Sequence, residues 1–219
     1  QAATFMTIFN IAGQGDHIVA SSAIYGGSFK PPHTGHVHAA ENAVKCLSLD
    51  ELIVIPAREP PHKTLSANSP GPAERAVLCE LAFSSVANAR PGRNARIGYL
   101  NRRPNARVST LELDREEVSY TADTVLQLRK EFPDAEFFLL MGTDMLTSFV
   151  SWYAFETILQ NCSLGVFCRA AEDERIIATA VDELKRKYGA RIKFVPFSPV
   201  EVSSTELREA LSEGKKPQQ

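Results

Sequence analysis

Several features that would assign this 219-residue chain to a class are missing from it. Its longest apolar run, Phe137–Met141, is far shorter than the roughly 20 residues that span a bilayer. The N-terminal residues contain no basic region followed by an apolar core, so we expect no secretory signal. The formal net charge of −2 provides no general attraction to nucleic acid or to an anionic membrane. We therefore predict neither partner, and any phosphate binding must come from a local site.

Cysteine is scarce and its spacing is uninformative for metal or disulfide chemistry. The four cysteines, Cys46, Cys79, Cys162 and Cys168, form no Cys-x-x-Cys pair, and no histidine stands at zinc-finger spacing from them. Cys46 and Cys79 fall on the apolar faces of predicted helices, and Cys168 falls in a predicted strand. We expect buried, reduced thiols in a cytoplasmic protein.

Two common nucleotide-binding motifs are also absent. The chain contains no Gly-x-Gly-x-x-Gly fingerprint, which disfavours a dinucleotide-binding oxidoreductase, and no Walker-type Gly-Lys-Ser/Thr loop. Hydrophobic residues make up 44% and charged residues 23% of the chain, as in ordinary globular proteins. A chain of this length forms one domain, or at most two small ones, with a substantial core.

Apolar runs alternate with helical patterns, and this alternation predicts a Rossmann-like α/β fold, a doubly wound and mainly parallel sheet with helices on both faces. The predicted strands are Ala23–Tyr25, Leu52–Ile55, Val108–Leu113, Glu136–Met141, Ser163–Cys168 and Ile192–Val195. The predicted helices are His36–Leu47, Ala73–Phe83, Ala122–Glu131, Phe155–Leu159, Ile176–Tyr188 and a last one from Ser204 to Leu211.

The domain is expected to cover residues 22–212. Residues 1–21 form an N-terminal extension that the pattern does not place, and residues 213–219 form a frayed polar tail. Residues 90–107 contain six arginines and no acidic residue, with glycine and proline as breakers. We interpret this insertion as a solvated loop, with a substrate-phosphate clamp or a subunit contact as the alternatives.

The most informative segment follows the first predicted strand and reads Gly26-Gly27-Ser28-Phe29-Lys30-Pro31-Pro32-His33-Thr34-Gly35-His36. Paired glycines allow backbone N–H groups to approach a ligand closely. The start of the next helix adds unpaired donors and a favourable dipole. Two histidines three residues apart bring imidazole donors to the same place. This arrangement predicts a site for a nucleoside triphosphate.

A second anion site is predicted near the C-terminus, in Val202-Ser203-Ser204-Thr205-Glu206-Leu207-Arg208. Hydroxyl groups at a helix start lie beside free N–H groups, and Arg208 stands one turn further on the face of Ser204. Ser203 and Glu206 also have the spacing of a capping box, and both interpretations can hold together.

Three further segments stand in order between these two sites: Pro60-Pro61-His62-Lys63, Ser119–Thr124, and Gly142-Thr143-Asp144 with Trp152-Tyr153 downstream. With Gly-Gly-x-Phe-x-Pro-x-His-x-Gly-His they resemble the bacterial nicotinate-mononucleotide adenylyltransferases of the nucleotidylyltransferase superfamily. The resemblance runs from about Ser22 to Leu211. It implies transfer of the adenylyl group of ATP to nicotinate mononucleotide, giving nicotinate adenine dinucleotide and pyrophosphate in NAD biosynthesis.

The resemblance also implies residue roles. The predicted catalytic residues, which would contact the triphosphate, are His33, His36 and Arg208 from the resemblance, together with Lys30, whose role is predicted from its charge. The predicted ATP-binding residues are Gly26, Gly27, Ser28, Phe29, Gly35, Gly142, Asp144, Ser203, Ser204 and Thr205. The predicted binding residues for the pyridine mononucleotide are His62, Lys63, Tyr120, Thr121, Trp152, Tyr153 and Arg169. For Asp144 helix capping competes with a nucleotide role, for Trp152 core packing competes with stacking on the pyridine, and a solvated side chain is the default for Lys63. His38 has no partner in the motif, and we expect a surface or packing role for it.

Lys30 departs from the family, which usually has aspartate at this position. A cation beside the phosphates could bind them as a point charge or replace part of a magnesium-bound arrangement. We still expect Mg²⁺ with ATP, although no ligand set for it can be identified in the sequence. The alternatives are another phosphorylated acceptor, such as nicotinamide mononucleotide or a pantetheine phosphate, and a module that binds adenine nucleotides without turnover. A homo-oligomer remains open.

Overall fold

The computed structural model describes residues 21–58, 70–86, 105–116, 118–168, 171–198 and Leu207. Within these residues, none of the helices combines the length and apolarity needed to cross a membrane. Residues 1–20 of the N-terminal extension, the predicted helix from Ser204 to Leu211 apart from Leu207, the tail and most of the basic insertion lie outside the described residues.

Strands and helices alternate along the chain, as the apolar pattern predicts. The strands are β1 (Ser21–Gly27), β2 (Glu51–Pro56), β3 (Asn105–Val108), β4 (Glu136–Gly142), β5 (Cys162–Cys168) and β6 (Ile192–Pro196). The helices are α1 (Thr34–Leu47), α2 (Pro72–Phe83), α3 (Thr121–Glu131), α4 (Thr143–Thr147), α5 (Phe155–Asn161) and α6 (Ala171–Tyr188), with a short 3₁₀ helix at Phe149–Ser151.

The six strands form one parallel sheet in the order β3-β2-β1-β4-β5-β6. Every residue of β2 and of β5 is buried, which explains their continuous apolar runs, because helices cover both faces of a parallel sheet. The predicted Rossmann-like, doubly wound fold class is therefore confirmed.

Opposite faces of the sheet receive different helices. A Cβ atom added to Gly165 of β5 would meet side chains of Leu140 in β4 and Leu47 in α1, so α1 packs on the face to which Leu140 belongs. The guanidinium of Arg129 in α3 lies 4.2 Å from the ring centroid of Phe137, whose side chain projects from the other face. After β3 the chain returns past β1 to form β4, so the crossovers before and after β3 run in opposite directions across the sheet. Because each crossover is right-handed, the helices before β3 and the helix after it lie on opposite faces.

The strand order places the predicted site at a switch point. β1 and β4 are neighbours in the sheet, with Tyr25 opposite Leu140, although more than one hundred residues separate them in sequence. The connection after β1 leads towards β2, and the connection after β4 leads towards β5, so a crevice opens at their shared carboxyl edge. Ligands of open α/β sheets bind in this crevice.

Four predictions about local structure need correction. Helix α6 begins at Ala171, five residues before the predicted Ile176, because Ala171 and the polar residues 172–175 extend the helix without an apolar repeat. Val108–Leu113 is not a strand, because β3 ends at Val108 and residues 111–113 form a turn. Helix α1 begins at Thr34, two residues before the predicted start, because His33 in extended conformation serves as its N-cap. Cys46 is exposed, since the buried face of α1 contains Ala39, Ala43 and Leu47 and position 46 points away from it, whereas the other three cysteines are buried and all four are free of disulfides.

Candidate active site

The predicted phosphate turn lies at the carboxyl end of β1. Gly26 and Gly27 are the last residues of the strand, and the carbonyl of Gly27 accepts a hydrogen bond of 3.2 Å from the N–H of Ala57 after β2. Gly35 is buried in the first turn of α1, which contains no acidic residue. The turn therefore presents the N-terminus of a 14-residue helix, whose free N–H groups and dipole favour an anion.

Phe29 makes the sharp change of direction in this turn. Its φ of 36° lies in the left-handed region, which a bulky side chain rarely adopts. Its buried ring packs edge-to-face against Phe83 of α2 and His36 of α1, with centroid distances of 5.4 and 4.9 Å. This packing stabilises the strained backbone. Lys30, which follows it, is itself buried.

The two histidines lie together at the start of α1. Their ring centroids are 3.8 Å apart, with an angle of 38° between the ring planes. The backbone N–H of His33 donates to Nδ1 of His36 over 3.2 Å. Nδ1 is therefore the acceptor of the ring, and the proton of the neutral imidazole is on Nε2. His36 thus has one N–H available as a donor to a ligand.

The charge state of His36 follows from its surroundings. Tyr25 and Phe29 both pack edge-on to its ring, with centroid distances of 6.4 and 4.9 Å. Burial among these rings, and secondarily the neighbouring His33, lowers the pKa of His36 to about 3. His36 is consequently neutral near pH 7 and acts as a hydrogen-bond donor rather than as a cation.

The carboxyl end of β4 supplies the other wall of the crevice. Gly142 ends β4 and is the N-cap of α4, and Asp144 stands in the first turn with an exposed side chain. A Cβ atom on Gly142 would lie 2.5 Å from Oδ1 of Asp144, so the carboxylate occupies the space that the glycine leaves free. The structure thus brings Gly142 and Asp144 to the same sheet edge as the histidine turn.

The predicted acceptor residues of two separate segments also meet. Tyr120 is the N-cap of α3, and Thr121 is its buried first residue. The ring of Tyr120 lies 4.6 Å from that of Tyr153, which is 55% exposed. Trp152, in contrast, is buried and packs 5.2 Å from Phe149. In this structure the accessible ring of the Trp152-Tyr153 pair is therefore the tyrosine.

Sequence reasoning missed Arg75, whose side chain supports the turn after β1 through hydrogen bonds to its backbone. This arginine of α2 is fully buried. Its guanidinium donates to the carbonyls of Ser28, at 3.1 Å, of Arg58, at 2.9 Å, and of Ala57. It thereby ties the turn after β1 to the turn after β2. The available signal was its position on the apolar face of a predicted helix, four residues before Cys79.

Seven predicted site residues lie outside the described residues: His62, Lys63, Arg169, Ser203, Ser204, Thr205 and Arg208. Phe197 and Ser198, which follow β6 and precede the predicted second anion site in sequence, are described, however. The ring of Phe197 lies 5.6 Å from His38 on the second turn of α1, and His38 also contacts Asn42. The packing role predicted for His38 is thus observed, and the chain leaves β6 beside α1.

No group of three or more His, Cys, Asp or Glu side chains that could hold a metal ion occurs in the part of the chain that the structure describes. The donor set in the turn, two imidazoles and a lysine, suits anions rather than Mg²⁺, which prefers oxygen ligands. These residues do not fit a protein-held magnesium ion, and we assign them none.

Comparison with known proteins identifies the family. The family model described as cytidylyltransferase-like matches residues 24–210. A relative from Lachnoclostridium phytofermentans is 34% identical, and the match covers 87% of this chain and 86% of the relative. A relative from Exiguobacterium sibiricum is 31% identical, with 88% and 86% covered. Both carry the name "Probable nicotinate-nucleotide adenylyltransferase". The chain belongs to the nicotinate-nucleotide adenylyltransferases.

Solved structures agree on the fold of this family. The nicotinic acid mononucleotide adenylyltransferase of Plasmodium falciparum, complexed with NaAD, superimposes with a TM-score of 0.62 at 19% identity, covering 89% of this chain and 85% of that one. The same enzyme complexed with APC gives a TM-score of 0.61. Membership in the family makes the protein a nucleotidyltransferase, as the residues of the histidine turn predicted.

Proposed function

We propose that this protein transfers the adenylyl group of ATP to nicotinate mononucleotide, forming nicotinate adenine dinucleotide and pyrophosphate in NAD biosynthesis. The observation that carries this proposal is the neutral His36 ring, whose Nε2–H is available at an acid-free helix start in the switch-point crevice. The similarity to adenylyltransferases over nearly the whole chain supports the choice of reaction.

The reaction needs little covalent chemistry from the protein. A phosphate oxygen of the mononucleotide attacks the α-phosphorus of ATP, the bond from that phosphorus to the bridging oxygen of the β-phosphate breaks, and pyrophosphate leaves with the electron pair. The enzyme must align the two anions and stabilise the charge of the transition state. The substrate is MgATP, in which the metal ion is held by phosphate oxygens and water.

On the nucleotide side, we assign the N–H groups of the first turn of α1 and the rings of His33 and His36 to the phosphates of ATP. Lys30 adds a point charge to this site, and Asp144 accepts hydrogen bonds from the ribose. Ser203, Ser204, Thr205 and Arg208 are proposed to hold the departing pyrophosphate. The position of Phe197 beside His38 of α1 supports this, because Ser203 follows only six residues later in the sequence.

On the acceptor side, the paired rings of Tyr120 and Tyr153 support a pyridine pocket at the start of α3. Thr121 offers a hydroxyl and an N–H to the pyridine carboxylate, and Trp152 borders the pocket from the core. His62, Lys63 and Arg169 are proposed contacts of the mononucleotide. The four cysteines without disulfides support a reducing compartment, and we propose the cytoplasm.

Pyrophosphate release from ATP tests the proposal when it is measured with a panel of acceptors. The panel contains nicotinate mononucleotide, nicotinamide mononucleotide and phosphopantetheine, and mass spectrometry identifies each product. We expect release with nicotinate mononucleotide, with kcat/KM at least about tenfold above that for the amide. Preference for another acceptor would replace the substrate. ATP binding without release in any assay would indicate a non-catalytic module.

A further inference from the structure

Glu112 is a buried carboxyl group to which the proposed reaction assigns no role. It lies in the turn that follows β3, at the carboxyl edge of the sheet, and it is fully buried. One of its oxygens, Oε2, has no hydrogen-bond partner among the described residues. A buried glutamate is costly unless it is neutral or paired, so its presence here calls for a physical reason.

Hydrogen bonds connect Glu112 to the first turn of α3. The hydroxyl of Thr124 donates to Oε1 of Glu112 over 2.9 Å, while the guanidinium of Arg115 donates to the same hydroxyl over 2.8 Å. The N–H of Thr124 bonds to the carbonyl of Tyr120 at 3.2 Å. Glu112 therefore reaches the N-cap of α3 through one intermediate residue.

The backbone of the same turn is held from two further sides. The backbone carbonyl of Glu112 accepts a 3.5 Å hydrogen bond from the hydroxyl of Ser119, the residue before Tyr120. Arg58, after β2, donates to the carbonyls of Leu113, at 3.5 Å, and of Arg115. The turn is thus anchored to the sheet by Arg58 and to the start of α3 by Glu112.

We propose that Glu112 is a positioning residue for the acceptor: its side chain fixes the first turn of α3, and so the places of Tyr120 and Thr121 in the acceptor pocket. The inference rests on the proposed function, because it assumes that these two residues contact the mononucleotide. Glu112 itself does not contact the substrate.

The protonation state of Glu112 should make acceptor binding depend on pH. Burial, partly offset by the Thr124 hydrogen bond and by Arg115, raises the pKa of Glu112 to about 8. The charged groups near it are Arg115, acting through Thr124, and Arg58, which is bonded to neighbouring carbonyls. Because the folded-state pKa is raised, the neutral acid stabilises the packed turn at low pH, and this contribution is lost as the pH rises through about 8.

Steady-state kinetics of the full-length protein test this with Glu112→Ala and Glu112→Gln. Losing a buried hydrogen-bond partner should raise the acceptor KM in Glu112→Ala on the order of tenfold. The KM for ATP should stay within about twofold, because the crevice beside β4 is not involved. Glu112→Gln resembles the neutral acid, so its acceptor KM should match wild type near pH 7. Above pH 8 the acceptor KM should rise in wild type and not in Glu112→Gln.

Thr110→Ala is the matched control in the same turn. It removes a 2.7 Å hydrogen bond to Asp114 that is exposed and does not reach α3, so both KM values should remain unchanged. The inference is overturned if Glu112→Ala raises both KM values equally. It is also overturned if the acceptor KM of wild type and of Glu112→Gln depends on pH in the same way, a comparison that holds even if Glu112→Ala does not fold.

Amide hydrogen exchange separates this inference from the proposed function. Faster exchange at residues 121–124 in Glu112→Ala than in Thr110→Ala would support the positioning role, and equal exchange would overturn it. An enzyme that releases no pyrophosphate with any acceptor would instead remove the proposed reaction, whatever the exchange result.

Discussion

At the residue scale, the imidazole of His36 shows how neighbours determine the chemistry of one side chain. The N–H of His33 occupies Nδ1, and the rings of Tyr25 and Phe29 exclude water. The first contact selects the Nε2–H tautomer, and the enclosure keeps the ring neutral. An uncharged donor can stabilise charge that develops on a phosphate without requiring a counter-ion of its own.

His36→Ala should lower kcat on the order of a hundredfold while the protein stays folded, because a donor to the transition state is removed. Pyrophosphate release at saturating substrates measures the effect, and circular dichroism checks the fold. His38→Asn, two residues further along the same helix, is the control and should stay within about threefold of wild type. A rate near normal for folded His36→Ala would contradict the assignment.

The wild-type pH profile should reflect the same neutral state. Because the pKa of His36 is lowered to about 3, its ring keeps its proton count between roughly pH 5 and pH 9. Protonation of His36 should therefore produce no acidic limb in kcat above about pH 5. An acidic limb near pH 6.5 that disappears in a variant of His36 would show that the ring titrates normally.

At the scale of elements, strand ends and helix starts build the site in pairs. β1 leads through Phe29 into α1, and β4 leads through Gly142 into α4. Arg75 of α2 donates hydrogen bonds to the turns that follow β1 and β2. Glycines in the neighbouring strands β4 and β5 have different functions. Gly142 leaves room for the Asp144 carboxylate at the crevice, whereas Gly165 leaves room for core side chains of β4 and α1.

Gly142→Ala and Gly165→Ala should therefore separate binding from stability. In Gly142→Ala the new Cβ would lie 2.5 Å from Asp144 Oδ1, and the carboxylate must move, so the KM for ATP should rise several-fold with little loss of stability. In Gly165→Ala the Cβ would lie 2.6 Å from a methyl group of Leu140, so the free energy of unfolding should fall by about 1–3 kcal/mol. Denaturant titration and ATP kinetics on both variants test these expectations. A larger loss of stability in Gly142→Ala, or a larger rise of the ATP KM in Gly165→Ala, would contradict them.

Arg75→Met should destabilise the protein by about 3 kcal/mol, since three backbone carbonyls lose a charged donor and at least some remain buried. Its kcat/KM should also fall, because Ser28 in the phosphate turn is one of those carbonyls. Glu80→Gln, on the exposed face of the same helix, is the control for denaturant titration and kinetics. Equal stability of the two variants would show that Arg75 is dispensable.

At the scale of the whole molecule, the proposed function assigns two regions of the carboxyl edge of the sheet to the two substrates. The β1–β4 crevice contains the histidine turn and Asp144, and the start of α3 contains Tyr120 and Thr121, next to Tyr153. The two regions are joined through the turns that Arg75 and Arg58 support. One substrate can therefore bind on each side of the reacting phosphorus.

Each substrate should then protect a different part of the chain from amide hydrogen exchange. MgATP alone should slow exchange at residues 26–37 and 142–147, and nicotinate mononucleotide alone should slow it at residues 119–124 and 152–155. Adenosine, which lacks phosphates, is the control and should leave residues 33–37 unprotected. Protection of the α3 start by MgATP alone would contradict this division of the edge.

The amino-acid sequence by itself determined the βα alternation and the histidine turn, because both depend on contacts within a short stretch of chain, and the alternation in turn implies the fold class. It could not show that Val108–Leu113 ends early, that Trp152 faces the core or that Arg75 is buried. Only the tertiary structure decided that β1 lies beside β4, that His36 is neutral and that Glu112 is enclosed with Thr124. The first property joins strands more than one hundred residues apart, and the other two depend on how nearby segments pack around a side chain; the alternation of apolar and polar residues specifies neither.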